Sequence, residues 1–144
     1  MSAKPVAVAS DHAGYELKSA LVEELRALGH EVLDLGAHGR ESVDYPDFGR
    51  AVAEAIVSGK AERGVAICGT GIGISIAANR HPGVRAAVCH DETSARLARE
   101  HNDANVLALG ARLIGTEVAK DCLKTFLTTG FACGRHVPRV AKLG

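Results

Sequence analysis

The segment Gly64-Val65-Ala66-Ile67-Cys68-Gly69-Thr70-Gly71-Ile72-Gly73 decides the architecture of this chain. Its first half is a short apolar run of the kind that forms a buried strand, and it passes without a spacer into alternating glycines. A helix from about Ile72 to Asn79 is expected next, closed by the turn His81-Pro82-Gly83. Strand, glycine loop and helix in that order make the first part of a βαβ unit.

The same alternation extends both ways. Upstream, Pro5 to Ala9 reads as a strand ended by Ser10-Asp11-His12, and Leu17, Leu21, Leu25 and Leu28 then recur at helical spacing until Gly29. Glu31 to Leu35 is a second strand, Gly36 to Pro46 a polar loop, and Phe48, Val52, Ala55 and Ile56 mark a helix stopped by Gly59. Downstream, a strand is predicted over Val84 to His90 and a helix over Asp91 to His101, capped by Asp91 or Thr93. Ala104 to Leu109 forms the last strand and Thr116 to Thr129 the last long helix, before a basic tail from about residue 130. Five βα units with short links predict one domain over residues 1–144, a Rossmann-like three-layer α/β/α fold on a five-stranded parallel sheet. Ligands of such sheets sit beyond the carboxyl ends of the strands, which singles out Asp11, His12, the stretch from Cys68 to Gly73, and Asp91.

Composition narrows the function classes. The chain has 144 residues, 17 Lys+Arg against 17 Asp+Glu, and 47% hydrophobic residues, ordinary values for a globular protein. Zero net charge argues against a nucleic-acid partner, and only 3% aromatics leaves little for base stacking. No run approaches the ~18 apolar residues of a membrane helix, and Val6-Ala7-Val8-Ala9 is too short for a signal-peptide core. The four cysteines, Cys68, Cys89, Cys122 and Cys133, show no C-x-x-C pair and no zinc spacing, so a reduced, cytoplasmic protein is expected.

The loop from Gly69 to Gly73 would turn several backbone N–H groups toward one point at the positive end of a helix, suiting a phosphate or a transient oxyanion. Its plainer reading is a tight turn that needs positive φ. Ile74-Ser75 follows where a Walker A loop requires Lys and then Ser or Thr, so that motif is excluded. Gly69 and Gly71 match two glycines of the dinucleotide fingerprint, with Asp91 spaced to hold a ribose. The third glycine would fall on Ile74, which leaves a dinucleotide site as the second reading.

Cys68 stands where a base or nucleophile would, although free Cys is also a common small buried hydrophobe. Cys89, Cys122 and Cys133 are assigned to packing. His30, His38 and His81 read as solvated, and His90 is undecided. His12 and His101 lie in polar clusters, which fits either acid–base work or a surface and capping role. Arg135 and Arg139, four apart, would share a helical face and grip a phosphate, or else belong to a solvated tail; Pro138 allows a helix only if it starts near Val137.

Taken together, Asp11-His12-Ala13-Gly14, Asp44-Tyr45-Pro46, the block from Cys68 to Asn79, His101-Asn102-Asp103, Gly110-Ala111-Arg112 and Gly134-Arg135-His136 resemble the type B ribose-5-phosphate isomerases. That family also includes allose-6-phosphate and galactose-6-phosphate isomerases. The resemblance runs from about Val6 to Val140. It implies reversible aldose–ketose isomerisation of ribose 5-phosphate and ribulose 5-phosphate in the pentose phosphate pathway, or else of a six-carbon sugar phosphate, without metal or organic cofactor. Cys68 would be the base, and the amides of Gly69, Thr70, Gly71, Ile72 and Gly73 would hold an enediolate. His101, helped by Thr70 and Asp11, would open the sugar ring. His12, Arg135 and Arg139 would hold the phosphate, with Tyr45, Asn102 and Arg112 also lining the site. Some relatives carry a glutamate shortly after the loop instead of the cysteine; here that position is Ile74. The resemblance further implies a homodimer, or a tetramer, whose sites combine residues of both chains, with no nucleic-acid or membrane partner.

Overall fold

The computed structural model describes residues 4–144. In chain order the elements are β1 (Val6–Ser10), α1 (Tyr15–Ala27), β2 (Val32–Asp34), α2 (Tyr45–Val57), β3 (Gly64–Cys68), α3 (Ile72–Ala78), β4 (Ala86–Val88), α4 (Glu92–Asn102), β5 (Val106–Gly110), α5 (Thr116–Thr128) and α6 (His136–Ala141). All strand pairs are parallel and the five-stranded sheet has the order β2-β1-β3-β5-β4. The three-layer α/β/α fold is therefore the one expected. From β1 the chain moves first to one side and then, at β3, to the other. The carboxyl ends of β1 and β3 consequently flank a topological switch point.

Helices cover both faces. Leu21 and Leu25 of α1, Ala95 and Ala98 of α4, and Leu123 and Phe126 of α5 close over Val8, Ile67 and Leu107. On the opposite face Val52 and Ala53 of α2 and Ile74 and Ala78 of α3 close over Ala9, Ala66 and Cys68. The central strands β1, β3 and β5 are buried along their whole length, which explains their unbroken apolar runs. Each large aliphatic side chain so buried contributes roughly 1.5–3 kcal/mol. Residues on the second face are small, and α2 meets α3 closely: a Cβ at Gly49 would stand 2.7 Å from the Ile74 carbonyl oxygen.

Polar groups fasten the margins. Lys18, buried in α1, donates to both carboxylate oxygens of Asp34 at 2.7 and 2.9 Å, and the Gly36 N–H donates to the same carboxylate at 3.0 Å. At the edge strand β4, the Asn79 side chain accepts from the Ala86 N–H at 2.7 Å and donates to the Ala86 carbonyl at 2.9 Å.

Several boundaries differ from expectation. β4 covers three residues rather than the span Val84 to His90, because the Val84 N–H turns back to the His81 carbonyl and the Arg85 N–H goes to the Asn105 side chain. α2 starts at Tyr45, with Pro46 in its first turn where a missing N–H costs nothing. The tail does form a helix, and it begins at His136, early enough for Pro138 to fall within the first turn.

Candidate active site

A cleft of about 430 Å³ opens at the switch point, walled by the turn after β1, the glycine loop after β3, Tyr45 and Arg112. A larger depression of about 570 Å³ lies along α2, lined by Leu33, Leu35, Val57 and Lys60 and away from the strand ends. Chemistry concentrates in the smaller one.

β3 delivers Cys68 to the floor of this cleft, where it is 5% exposed. The Gly71 N–H donates to the Cys68 sulfur at 3.1 Å. Gly71 can do so because its φ is +78°, and a Cβ there would lie 2.9 Å from the Leu109 carbonyl carbon, so both conformation and space demand glycine. The Ile72 N–H donates to Thr70 Oγ1 at 3.2 Å. The N–H groups of Gly69 and Thr70 donate to none of the described residues. α3 is seven residues long, so the loop offers individual N–H donors more than a helix dipole. Over the loop sits Arg112, whose guanidinium occupies the space a Cβ at Gly69 would enter, 3.2 Å from Nη1. On the other side the Tyr45 ring lies against Gly73, where a Cβ would come within 2.5 Å of Tyr45 Cε1.

The turn after β1 supplies the facing wall. Asp11 is buried, and its Oδ1 accepts from the Gly14 N–H at 3.1 Å. His12 is oriented by the loop before α2 and not by Asp11: its Nδ1 accepts from the Val43 N–H at 3.1 Å. A neutral His12 ring must therefore carry its proton on Nε2.

The other candidate residues form a second cluster. α4 starts beyond the carboxyl end of β4 and runs back, so His101 and Asn102 lie at the amino edge of the sheet. Cys68 pairs in register with Gly110 at the end of β5, whereas Gly64 and Val106 mark the opposite edge. At ~3.3 Å per residue the two edges stand roughly 13 Å apart. At the amino edge α6 packs on α4, and His101 and His136 stack with ring centroids 4.4 Å apart and planes 14° from parallel. Arg135 and Arg139 flank His136 on this element. Burial, reinforced by the charges of His101, Arg135 and Arg139 and opposed by Glu100, lowers the His136 pKa from its ordinary value.

Other sequence assignments sort themselves. Burial pushes the Cys89 thiol up to about 11 and the Cys122 thiol to about 12, as suits packing residues. Cys133 is exposed, contrary to the packing role expected, because its segment crosses outside α4. His38 is exposed as anticipated, but His30 and His81 are half-buried, and His81 Nδ1 has no partner among the described residues. Asp91 accepts from the Ser94 N–H at 2.7 Å and caps α4 in a reciprocal capping box, which directs it away from the glycine loop. Arg99, buried at 2% exposure, escaped sequence reasoning because its neighbours Arg96 and Glu100 mark a charged helix face.

The family model described as Ribose/Galactose Isomerase matches residues 6–143. The chain belongs to this family. Family-level activity on pentose and hexose phosphates follows, and the isomerase has relatives across several bacteria. It is 46% identical over 137 residues to ribose-5-phosphate isomerase B of Escherichia coli, covering 95% of this chain and 92% of the relative. It is 43% identical over 140 residues to a D-erythrulose-4-phosphate isomerase of Pectobacterium atrosepticum, covering 96% and 92%. Among solved structures, ribose-5-phosphate isomerase B of Clostridium thermocellum superposes with a TM-score of 0.96 at 56% identity, covering 97% of this chain and 95% of that one. No helix among the described residues of the isomerase is long and apolar enough to cross a membrane.

Proposed function

We propose that this isomerase interconverts ribose 5-phosphate and ribulose 5-phosphate through a cis-enediolate, with Cys68 as the base. One observation carries the reading: a cysteine at the switch point faces a cleft lined by backbone N–H donors, of which those of Gly69 and Thr70 have no acceptor among the described residues. The Cys68 thiolate takes the C2 proton of the open-chain aldose. The electron pair left behind forms the C1–C2 double bond, and the carbonyl pair moves onto O1. Returning the proton to C1, with transfer of the O2 proton to O1, leaves the carbonyl at C2. Negative charge builds on oxygen in the transition state, and each aligned donor there is worth about 3 kcal/mol. The whole chain acts as one catalytic domain, and the reaction is assigned no metal or organic cofactor.

His12, through Nε2–H, and Arg112 supply donors on the two sides of the cleft, with Tyr45 closing its end. The ring-opening His101, the site-lining Asn102 and the phosphate clamp Arg135 and Arg139 come from a second copy of the chain, where Thr70 and Asp11 of the facing copy assist His101. A two-fold dimer sets the amino edge of one sheet against the carboxyl edge of the other and so completes two equal sites. Exposed Ile72 and Ile76 beside the cleft and exposed Val137 on α6 support this pairing. The protein acts in the cytoplasm, on a small phosphorylated sugar.

The test is complementation. Cys68→Ala and His101→Ala are each expected to abolish turnover of ribose 5-phosphate while leaving the fold intact. Mixed and reassociated, they should recover about a quarter of native activity, since half the dimers are hybrid and each hybrid holds one intact site. A mixture as inactive as its components would place both residues in one chain's site, and an active Cys68→Ala protein would remove the base. Rates on ribose 5-phosphate, allose 6-phosphate and galactose 6-phosphate, compared side by side, identify the sugar.

A further inference from the structure

We infer that Arg99 is a positioning residue for the phosphate clamp, locking the end of α4 to the segment that carries Arg135 and Arg139. The inference rests on the function proposed above.

Arg99 is buried, and its guanidinium reaches three acceptors on two separate parts of the chain. Nε donates to the Thr129 carbonyl at 3.0 Å, and Nη1 donates to Asp103 Oδ1 at 2.8 Å and to the Ala104 carbonyl at 2.7 Å. The Phe126 ring lies 5.9 Å from its Cζ. Thr129 is where α5 ends and the tail begins; Asp103, at φ +46°, is the left-handed residue that closes α4 directly after His101 and Asn102. One planar fork thus ties the last turn of α4, the start of β5 and the root of the tail together. Beyond it, the tail touches α4 again where the Ala132 N–H donates to the Glu100 carbonyl at 3.0 Å, and again at the His101–His136 stack. Arg135 and Arg139 are thus held through α4, and their placement depends both on these contacts and on how the tail leaves Thr129.

The arrangement is electrostatically expensive. Arg85 also meets Asp103, through Nη2 at 3.4 Å, so two guanidiniums share one carboxylate. Nearby Arg63 is held below its ordinary pKa by burial and then by the charge of Arg99. An apolar side chain at position 99 would avoid this crowding but could not bind the Thr129 carbonyl.

Arg99→Lys keeps the charge and loses the fork. It is expected to raise KM for ribose 5-phosphate and the inhibition constant of inorganic phosphate by the same factor, between about 10-fold and about 100-fold, with a smaller change in kcat. Val22→Ala, a core truncation in α1 that removes none of these hydrogen bonds, controls for stability and should leave both constants unchanged. If Arg99→Lys does not fold, Asp103→Gly, which suits the φ of +46°, removes the carboxylate from Nη1 and leaves it the Ala104 carbonyl alone; it should raise both constants in the same direction, with Asp103→Asn restoring them. Unchanged constants in the folded Arg99 variant, or an equal rise in Val22→Ala, would overturn the inference. A wild-type protein inactive on every sugar phosphate tried would instead defeat the function on which it rests.

Discussion

The rings of His101 and His136 stack at 4.4 Å, and His136 is the buried member of the pair. Two imidazoles so close cannot both be protonated without repulsion, and Arg135 and Arg139 add further positive charge. The basic cluster is therefore built around a histidine whose neutral form folding favours.

This gives stability a defined pH dependence. His136 has a folded pKa below its ordinary 6.5, so the unfolded chain takes up the proton first as pH falls. Its contribution is intact above 6.5, is lost progressively below that, and the loss levels off once the folded-state ring also titrates. Urea titrations across this range should show a fall in the wild type that His136→Phe, which keeps the stack without the proton, reduces.

Lys18 and Asp34 should behave in the opposite part of the acid range. Burial alone would raise the Asp34 carboxyl, but the hydrogen bonds from Lys18 and Gly36 and the Lys18 charge outweigh it and hold the group below 3.8. Breaking a fully buried pair costs ~3–5 kcal/mol; since Asp34 is 30% exposed, Lys18→Met is expected to cost about 1–3 kcal/mol. That difference is present above 3.8 and should shrink as pH falls through the folded-state value, which chemical unfolding of the two proteins at each pH would measure.

Gly71→Ala tests the loop itself. Positive φ and a Cβ only 2.9 Å from the Leu109 backbone together predict a loss of about 2–4 kcal/mol. Because the displaced N–H is the one on Cys68, kcat at a temperature where the variant remains folded should fall by on the order of 100-fold.

Gly73→Ala has a different signature. The obstacle is the edge of the Tyr45 ring, and Tyr45 is 42% exposed and free to swing outward. The melting temperature should hardly move while KM rises, and the same change made in a Tyr45→Ala background should have no further effect.

Thiol labelling separates the cysteines. Exposed Cys133 should react first in the native protein, whereas Cys89 and Cys122, pushed up to about 11 and 12, should label only on unfolding. Ribose 5-phosphate should slow alkylation of Cys68; labelling of Cys68 indifferent to substrate would separate it from the site.

Much of this could be read from local pattern. Gly64 to Cys68 is a strand with the bounds its sequence predicts, and Asp91 caps α4, because a buried central strand and a capped helix are determined by a few adjacent residues. The edges were harder, since β4 begins only after the His81 turn and the Asn105 side chain have captured the amides of Val84 and Arg85, and Asn105 lies 20 residues away. Pro46 did carry a signal for the early start of α2. The division of the candidate residues was the least visible part. A linear reading groups His101 with Cys68 by chemistry, while the return direction of α4 sends it to the other edge. Arg99 shows in the pattern only as an ordinary i,i+4 partner of Asp103, because its remote acceptor, the Thr129 carbonyl, reaches it only once α5 has packed on α4.

The Asn79 amide at Ala86 has a consequence beyond local geometry. A parallel sheet that ends in an open strand offers its free N–H and C=O row as a template for any passing chain. Asn79 occupies both groups of Ala86 with a side chain that cannot propagate the ladder, and β4 extends only three residues. Replacing it with alanine would uncover that row, and aggregation on storage, rather than lost activity, would be the first sign.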